Sequence, residues 1–271
     1  MPRVHARAED LIDDADVDAV YVATPPSSHC SLAVRVASAG KPCLVEKPMA
    51  MTHAECVTMV DAFERAGAPL WVAYYRRALP RFLLVRDLLH EGAIGHPTSV
   101  HIEMTQVLAS PAVAATWFFD PAIAGGGLLF DIGSHSVDLV DFLFGPVTRA
   151  TGTSMNTGGA YAVDDLTAGS FSCGTDIAGT GVWNFNADRR RDELRVIGTR
   201  GTIVTPILDD RDVHVVAADG RITAHAVRNP PHVHQPLIQT IVDELRGRGV
   251  CPSTGISGAR ASWVLQQLSA S

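Results

Sequence analysis

The sequence predicts two architectures in series: an α/β unit with a parallel sheet over residues 1–76, then an α+β half over 77–271 built on an open, mainly antiparallel sheet. Three observations carry this. Before residue 77, short apolar runs alternate with helical stretches through short connections, the pattern of right-handed parallel crossovers. After Arg77 the strands lengthen, alternate in polarity and join through tight turns. No low-complexity linker separates the halves, so the break at residue 77 is a change of architecture rather than a tether. A chain of 271 residues with 46% apolar and 19% charged content suits one large or two modest globular domains.

Glu9–Asp14 reads as a short helix, followed by a turn at Asp14-Ala15-Asp16 and a strand over Asp18–Thr24. That strand is nearly all apolar, as a parallel strand buried on both faces should be. Pro25-Pro26 ends it, and Ser27 or Ser28 caps a helix reaching Ala39 and closed by Gly40. Cys43-Leu44-Val45 is a second buried strand and runs into Glu46-Lys47-Pro48. Thr52 caps the next helix, which stops near Gly67 before a third strand at Leu70–Tyr75.

In the second half, a helix over Leu79–Glu91 precedes a strand over His96–Gln106, and a further helix covers Gly127–Phe144. Strands follow at Thr148–Met155, Leu166–Cys173, Ile177–Phe185, Glu193–Ile197 and Thr202–Thr205. A hairpin over Val213–Val227 turns on Asp219-Gly220, a strong local hairpin signal. Two amphipathic helices, Gln235–Arg246 and Gly258–Leu268, finish the chain.

Charge and cysteine content exclude several functions. Lys and Arg total 22 against 29 Asp and Glu, a net charge of −7, and the run Arg189-Arg190-Arg191 sits between Asp188 and Asp192; no surface for nucleic acid is advertised. Five cysteines, Cys30, Cys43, Cys56, Cys173 and Cys251, form no CxxC pair and suit reduced thiols. The charged N-terminus lacks a secretory h-region, and the uncharged stretch Thr105–Phe119 is too short and broken for a membrane. The expected compartment is the cytoplasm.

Two strand ends and one helix carry the chemically suggestive residues. Lys47 follows a buried strand and precedes a proline that stops it, so its ammonium either enters the crevice to polarise an oxygen or is solvated at a strand exit. In Gly125-Gly126-Gly127-Leu-Leu-Phe-Asp131-Ile-Gly-Ser-His135, Asp131 and His135 are four apart and share a helix face that Asp138 continues. A His near a carboxylate moves protons near neutral pH. The alternatives are a helix-face ion pair, or a metal held by Asp131, His135 and Asp138. His225, His232 and His234 read as surface-loop histidines more readily than as a zinc site, and Tyr74-Tyr75-Arg76-Arg77 either lines the crevice or packs. No stretch satisfies G-x-G-x-x-G.

In order, DVDAVYVATPPSSH, LVEKP, YYRR and GGGLLFDIGSH resemble the Gfo/Idh/MocA oxidoreductases, the glucose–fructose oxidoreductase and inositol dehydrogenase family. The pairing of E-K-P with D-x-G-x-H about 85 residues later is the specific part of the resemblance. It implies a Rossmann domain followed by an open substrate domain, and hydride transfer between NAD or NADP and a secondary alcohol or carbonyl of a sugar, polyol or related small molecule. By this resemblance Thr24, Pro25, Pro26 and His29 lie along the dinucleotide, with Glu46 and Lys47 near the nicotinamide ribose. Lys47 bonds the substrate oxygen, Asp131 orients the substrate and His135 takes the hydroxyl proton. Arg76 is a looser candidate for cofactor or substrate contact. No metal is implied. Phe118, after Trp117, departs from the basic residue of many relatives.

Family members begin with a strand, a G-x-G-x-x-G turn and a helix. Here Pro2-Arg3-Val4-His5-Ala6 looks like the third strand, so about 50–60 residues of a full Rossmann domain are expected to be missing, with the pyrophosphate site and the residue that separates NAD from NADP. A truncated, non-catalytic subunit or binding module is the alternative to a working dehydrogenase. The open sheet is expected to dimerise or form a tetramer through its uncovered face, with Val182, Trp183 and Phe185 contributing apolar area.

Overall fold

The structure, a computed structural model, describes residues 3–110, 113 and 116–270. Its first half runs α1 (Ala8–Asp13), β1 (Val20–Val22), α2 (His29–Ser38), β2 (Cys43–Val45), α3 (His53–Ala66) and β3 (Leu70–Val72). The three strands form a parallel sheet in the order β1-β2-β3, pairing Val20 with Cys43 and Cys43 with Leu70. Cys43 and Val45 are wholly buried and every residue of β3 is buried, which is why these runs carry no polar alternation. Thr52 and Glu55 close a reciprocal capping box at the start of α3: Glu55 N donates to Thr52 Oγ1 at 3.2 Å and Thr52 N to Glu55 Oε2 at 3.1 Å. Gly67, at φ 63°, ends that helix in the left-handed region.

The expected strand at the start is not formed. Residues 3–7 are irregular, and Pro2 lies outside the described residues. Arg3 and His5 instead pair with Asp14, and Arg3 also with Asp16. β1 is an edge strand among the described residues, and residues 3–7 do not pair with it.

A single 3-10 turn, Tyr75–Ala78, leads from β3 to the second half. There follow α4 (Pro80–His90), β4 (Pro97–Thr105), α5 (Pro121–Ala124), α6 (Ser134–Phe144), β5 (Val147–Met155), β6 (Leu166–Cys173), β7 (Ile177–Asn184), β8 (Arg191–Gly198), β9 (Gly201–Thr205), β10 (Val213–Ala217), β11 (Ile222–His225), α7 (Gln235–Leu245) and α8 (Gly255–Ser269). The eight strands form one sheet in the order β11-β10-β9-β8-β4-β7-β6-β5. Every neighbouring pair is antiparallel except β4 and β7, which run parallel with Val100 opposite Gly179.

One face of this sheet packs on helices. Trp183 is fully buried and its Nε1 donates to Ser136 Oγ of α6 at 2.9 Å. Because strand residues alternate faces, Val182 points the other way and is exposed, while Trp183 and Phe185 are buried. Of the three residues expected on the uncovered face, only Val182 is there.

The closing helix also departs from expectation. α8 is buried around most of its circumference, at Gly255, Gly258, Ala261, Ser262 and Leu265 among others, because both halves cover it. It packs on α3 and β3 of the first half and on α6 and β5 of the second. Its small residues permit that: a Cβ on Gly258 would stand 2.5 Å from Val72 Cγ2.

A buried ionic clamp crosses the same junction. Arg77 Nε donates to both oxygens of Asp138 at 2.9 and 3.0 Å, its Nη2 to Asp141 Oδ1 at 2.9 Å and its Nη1 to Pro252 O at 3.1 Å. Arg260 of α8 grips Asp141 from the other side at 2.7 and 2.8 Å. Burial raises the Asp138 pKa to about 6, with Arg77 opposing, so the carboxylate remains ionised and paired at neutral pH. Replacing Arg77 by Met strands the buried Asp138 carboxylate and leaves Asp141 to Arg260 alone, and is expected to cost about 3–5 kcal/mol in urea unfolding; a loss below about 1 kcal/mol would reduce the clamp to the worth of a surface pair.

Candidate active site

A cleft of about 460 Å³ opens at the carboxyl ends of β1 and β2, where parallel sheets bind ligands. Thr24, Pro25 and Pro26 line it together with Glu46 and Lys47 and with Trp117, Phe118 and Asp131. The Trp117 and Phe118 rings stack at 3.9 Å. Lys47 Nζ donates to the Asp131 carbonyl at 2.9 Å and forms an ion pair with its carboxylate, joining residues 84 apart in sequence. Glu46 accepts from the Tyr21 hydroxyl and from Lys47 N.

Asp131 lies in a π-helical turn, Leu129–Gly133, that precedes α6. The wider turn lies between Asp131 and His135, so the α-helical spacing that would align them on one face does not apply. Among the described residues no hydrogen bond or ion pair links the two: Asp131 turns to Lys47, and His135 is 5% exposed. Gly127 reaches the helix with φ +64°, and a Cβ there would stand 2.5 Å from Val163 Cγ2, so no other residue fits.

His135 is enclosed by aromatic edges. Tyr74 and Tyr75 meet it edge-on at 6.1 and 5.4 Å, and Tyr75 stacks on His234 at 4.3 Å. Burial first, then the charges of Arg76, Lys47 and His234, hold its pKa well below the ordinary 6.5. It is neutral at pH 7, and its Nδ1 is buried without a partner.

Two expected cofactor contacts are placed elsewhere. His29 is fully buried, its ring nitrogens engaging Thr24 O at 2.7 Å and Pro48 O at 3.0 Å. It staples the two loops that shape the cleft rather than facing into it. Arg76 does not line the cleft; its Nε donates to Ile207 O at 2.9 Å and its guanidinium lies 4.6 Å from the Tyr75 ring centre. Asp138, the third ligand of the metal alternative, has both oxygens on Arg77, and the described residues contain no group of three or more His, Cys, Asp or Glu able to hold a metal. His234, read as a surface-loop residue, is part of the His135 enclosure; its aromatic partner Tyr75 was the available signal.

Residues 3–74 match the family described as oxidoreductase family, NAD-binding Rossmann fold, and residues 82–204 match the GFO/IDH/MocA C-terminal domain. Oxidoreductase P35 of Formosa agariphila is 36% identical over 238 residues, covering 87% of this chain and 73% of that protein. The chain belongs to the Gfo/Idh/MocA oxidoreductase family. Another family relative, levoglucosan dehydrogenase of Pseudarthrobacter phenanthrenivorans, is 33% identical over 168 residues, 59% of this chain and 43% of that protein. Among solved structures, aldose-aldose oxidoreductase from Caulobacter crescentus, complexed with glycerol, superposes with a TM-score of 0.82 at 26% identity, covering 96% of this chain and 78% of that one. Residues 3–74 therefore belong to an NAD-binding Rossmann fold, which agrees with a ligand cleft at its strand ends.

The buried neutral His135 sets a pH dependence of folding. Its unfolded counterpart binds a proton near the ordinary 6.5 while the native imidazole resists, so the unfolded chain holds more protons and stability falls as pH drops below about 6.5. Asp138, raised in the native state, acts in the opposite sense between its ordinary 3.8 and about 6. Urea titrations from pH 7.5 to 5 should therefore show a gap between wild type and His135→Asn that narrows on acidification; a constant gap would refute the assignment.

Proposed function

We propose that this chain performs the substrate-side chemistry of an NAD- or NADP-dependent dehydrogenase or reductase acting at a secondary alcohol or carbonyl of a sugar, polyol or related small molecule. The observation that supports this most is the meeting of Lys47, from the end of β2, with Asp131, from the turn before α6, at the cleft, with the Lys47 charge also reaching His135. The aldose and levoglucosan relatives support the substrate class.

The cleft fits the nicotinamide end of a dinucleotide. Its Thr24-Pro25-Pro26 wall is compact, the Trp117–Phe118 pair gives a flat apolar face, and Glu46 offers a carboxylate to ribose hydroxyls. The bound nicotinamide supplies a hydride acceptor, which no side chain here can be. Lys47 donates a hydrogen bond to the substrate oxygen, held in place by Asp131. His135, neutral and shielded from water, accepts the hydroxyl proton as the carbonyl forms, and returns it in the reverse direction. Asp131 accepts from a neighbouring substrate hydroxyl while balancing the ammonium.

The free thiols of all five cysteines and the absence, among the described residues, of a helix long and apolar enough to cross a membrane support a cytoplasmic setting. The sheet face bearing Val182 supports a homodimer or homotetramer.

Turnover of sugars and polyols with NAD and NADP tests the reading. His135→Ala should lower kcat by roughly 10²–10⁴-fold with NADH affinity retained. Unchanged kcat would make His135 structural, and absence of any NAD(P)H binding or turnover would move the reading to a non-catalytic binding module.

A further inference from the structure

A proton-moving imidazole is ordinarily aimed by a hydrogen bond from its Nδ1 to a carboxylate or a backbone carbonyl. His135 lacks that guide. Its Nδ1 is buried without a partner, Asp131 is engaged by Lys47, and both oxygens of Asp138 are held by Arg77. Packing must aim the ring instead. The two aromatic edges that meet it are not held alike. Tyr74 is fully buried just after β3, whereas Tyr75, the nearer at 5.4 Å, is only partly buried. Tyr75 is thus the less constrained neighbour.

His234 supports it from the other end of the chain. Its ring stacks on Tyr75 with centres 4.3 Å apart and planes inclined by 28°. The stack rests on an anchored helix. α7 begins at the next residue, and its Leu237 and Ile241 are buried in a cluster with Trp71 and Ala78 against which Tyr75 packs. The His234 carbonyl accepts from Ile238 N at 3.1 Å, which ties this histidine to the first turn of α7. Three cationic side chains act on His135: Arg76 from the turn after β3, Lys47 from the end of β2, and His234 from the start of α7. Of these side-chain types, only imidazole ordinarily changes its charge within the neutral range. His234 therefore reaches His135 in two ways, through the Tyr75 ring and through a charge that varies with pH.

We propose that His234 is a positioning residue for the proton step at His135: stacked on Tyr75, it keeps that ring against His135, and on gaining a proton it opposes proton transfer to His135. The proton step itself rests on the dehydrogenase reading above. His234 does not line the cleft, so it acts through its neighbours and not on the substrate.

NMR of the full chain without cofactor tests this, following the His135 ring Hε1 resonance between pH 8 and 5.5 in wild type, His234→Phe and His234→Ala. In wild type the resonance should carry the ring-current shift of Tyr75 and a displacement as His234 titrates. Phe keeps an aromatic ring on Tyr75 without a charge, so the ring-current shift should persist and the displacement vanish; Ala should lose both. A resonance that neither variant changes, equal loss of the ring-current shift in both, or a displacement that survives in His234→Phe would overturn the proposal. Should the alanine variant not fold, the comparison of wild type with His234→Phe decides alone. In alcohol oxidation, His234→Ala should lower kcat roughly 10–100-fold with KM retained, as expected when a reacting group shifts by about 1 Å. His234→Phe should restore kcat and move the acidic limb of its pH profile to lower pH. A less stable alanine variant with unchanged kcat would make His234 a support of the fold only. Absence of NAD(P)-linked turnover in wild type would remove the dehydrogenase reading instead, while the His135 resonance still decides whether His234 acts on it.

Discussion

The Arg77 clamp fixes where the two halves of the molecule stand. Its guanidinium leaves the short turn after β3 and enters a space bounded by α6 and α8, where Asp138, Asp141 and a backbone carbonyl receive it. Lys47 belongs to the parallel sheet on one side of this clamp, and His135 to the helix that carries Asp138 on the other. The distance between an ammonium and an imidazole from different halves is therefore set by a third pair of charges. Planar, forked donors suit such a task better than a flexible ammonium, since they constrain direction as well as distance.

Burial has opposite consequences for neighbouring groups at this junction. Asp138 stays ionised because Arg77 matches it in place, whereas His135 stays neutral because burial disfavours its charged form and the charges of Arg76, Lys47 and His234 add to that. The π-helical turn separates these settings. It presents Asp131 to the cleft while the α-helix that follows keeps His135 and Asp138 inside.

Local features were legible in the sequence. The apolar triplet Cys43–Val45, the Thr52 and Glu55 capping pair and the Asp219-Gly220 hairpin each depend on residues within a few positions of one another. The strand edges of the large sheet were also readable, because period-two alternation survives in any pairing order. What escaped were relations between distant residues. Nothing in YYRR distinguishes Arg77, whose partners lie 61 and 64 residues onward, from Arg76, which has no acid. A His after Pro25-Pro26 reads the same whether it faces a ligand or staples two carbonyls, as His29 does. A one-residue widening of a helix leaves no mark in composition, so Asp131 and His135 read as a pair on a regular helix. α8 read as amphipathic because its cover on the second side comes from a sheet more than 180 residues earlier.

The parallel pairing of β4 with β7 has a consequence for how this scaffold changes over time. Parallel neighbours cannot be joined by a hairpin, so a long excursion has to connect them. In this chain the excursion contains the Trp117–Phe118 pair, Asp131 and His135. The cleft residues Trp117, Phe118 and Asp131 thus reside on a connection whose length the central strand pair does not restrict. The register of β4 and β7 can persist while loops within that connection lengthen, shorten or exchange side chains. The Lys47–Asp131 pair is in this way separable from the shape of the cleft wall beside it, which can change in the loops of this connection while its helix and the strands β5 and β6 keep their places.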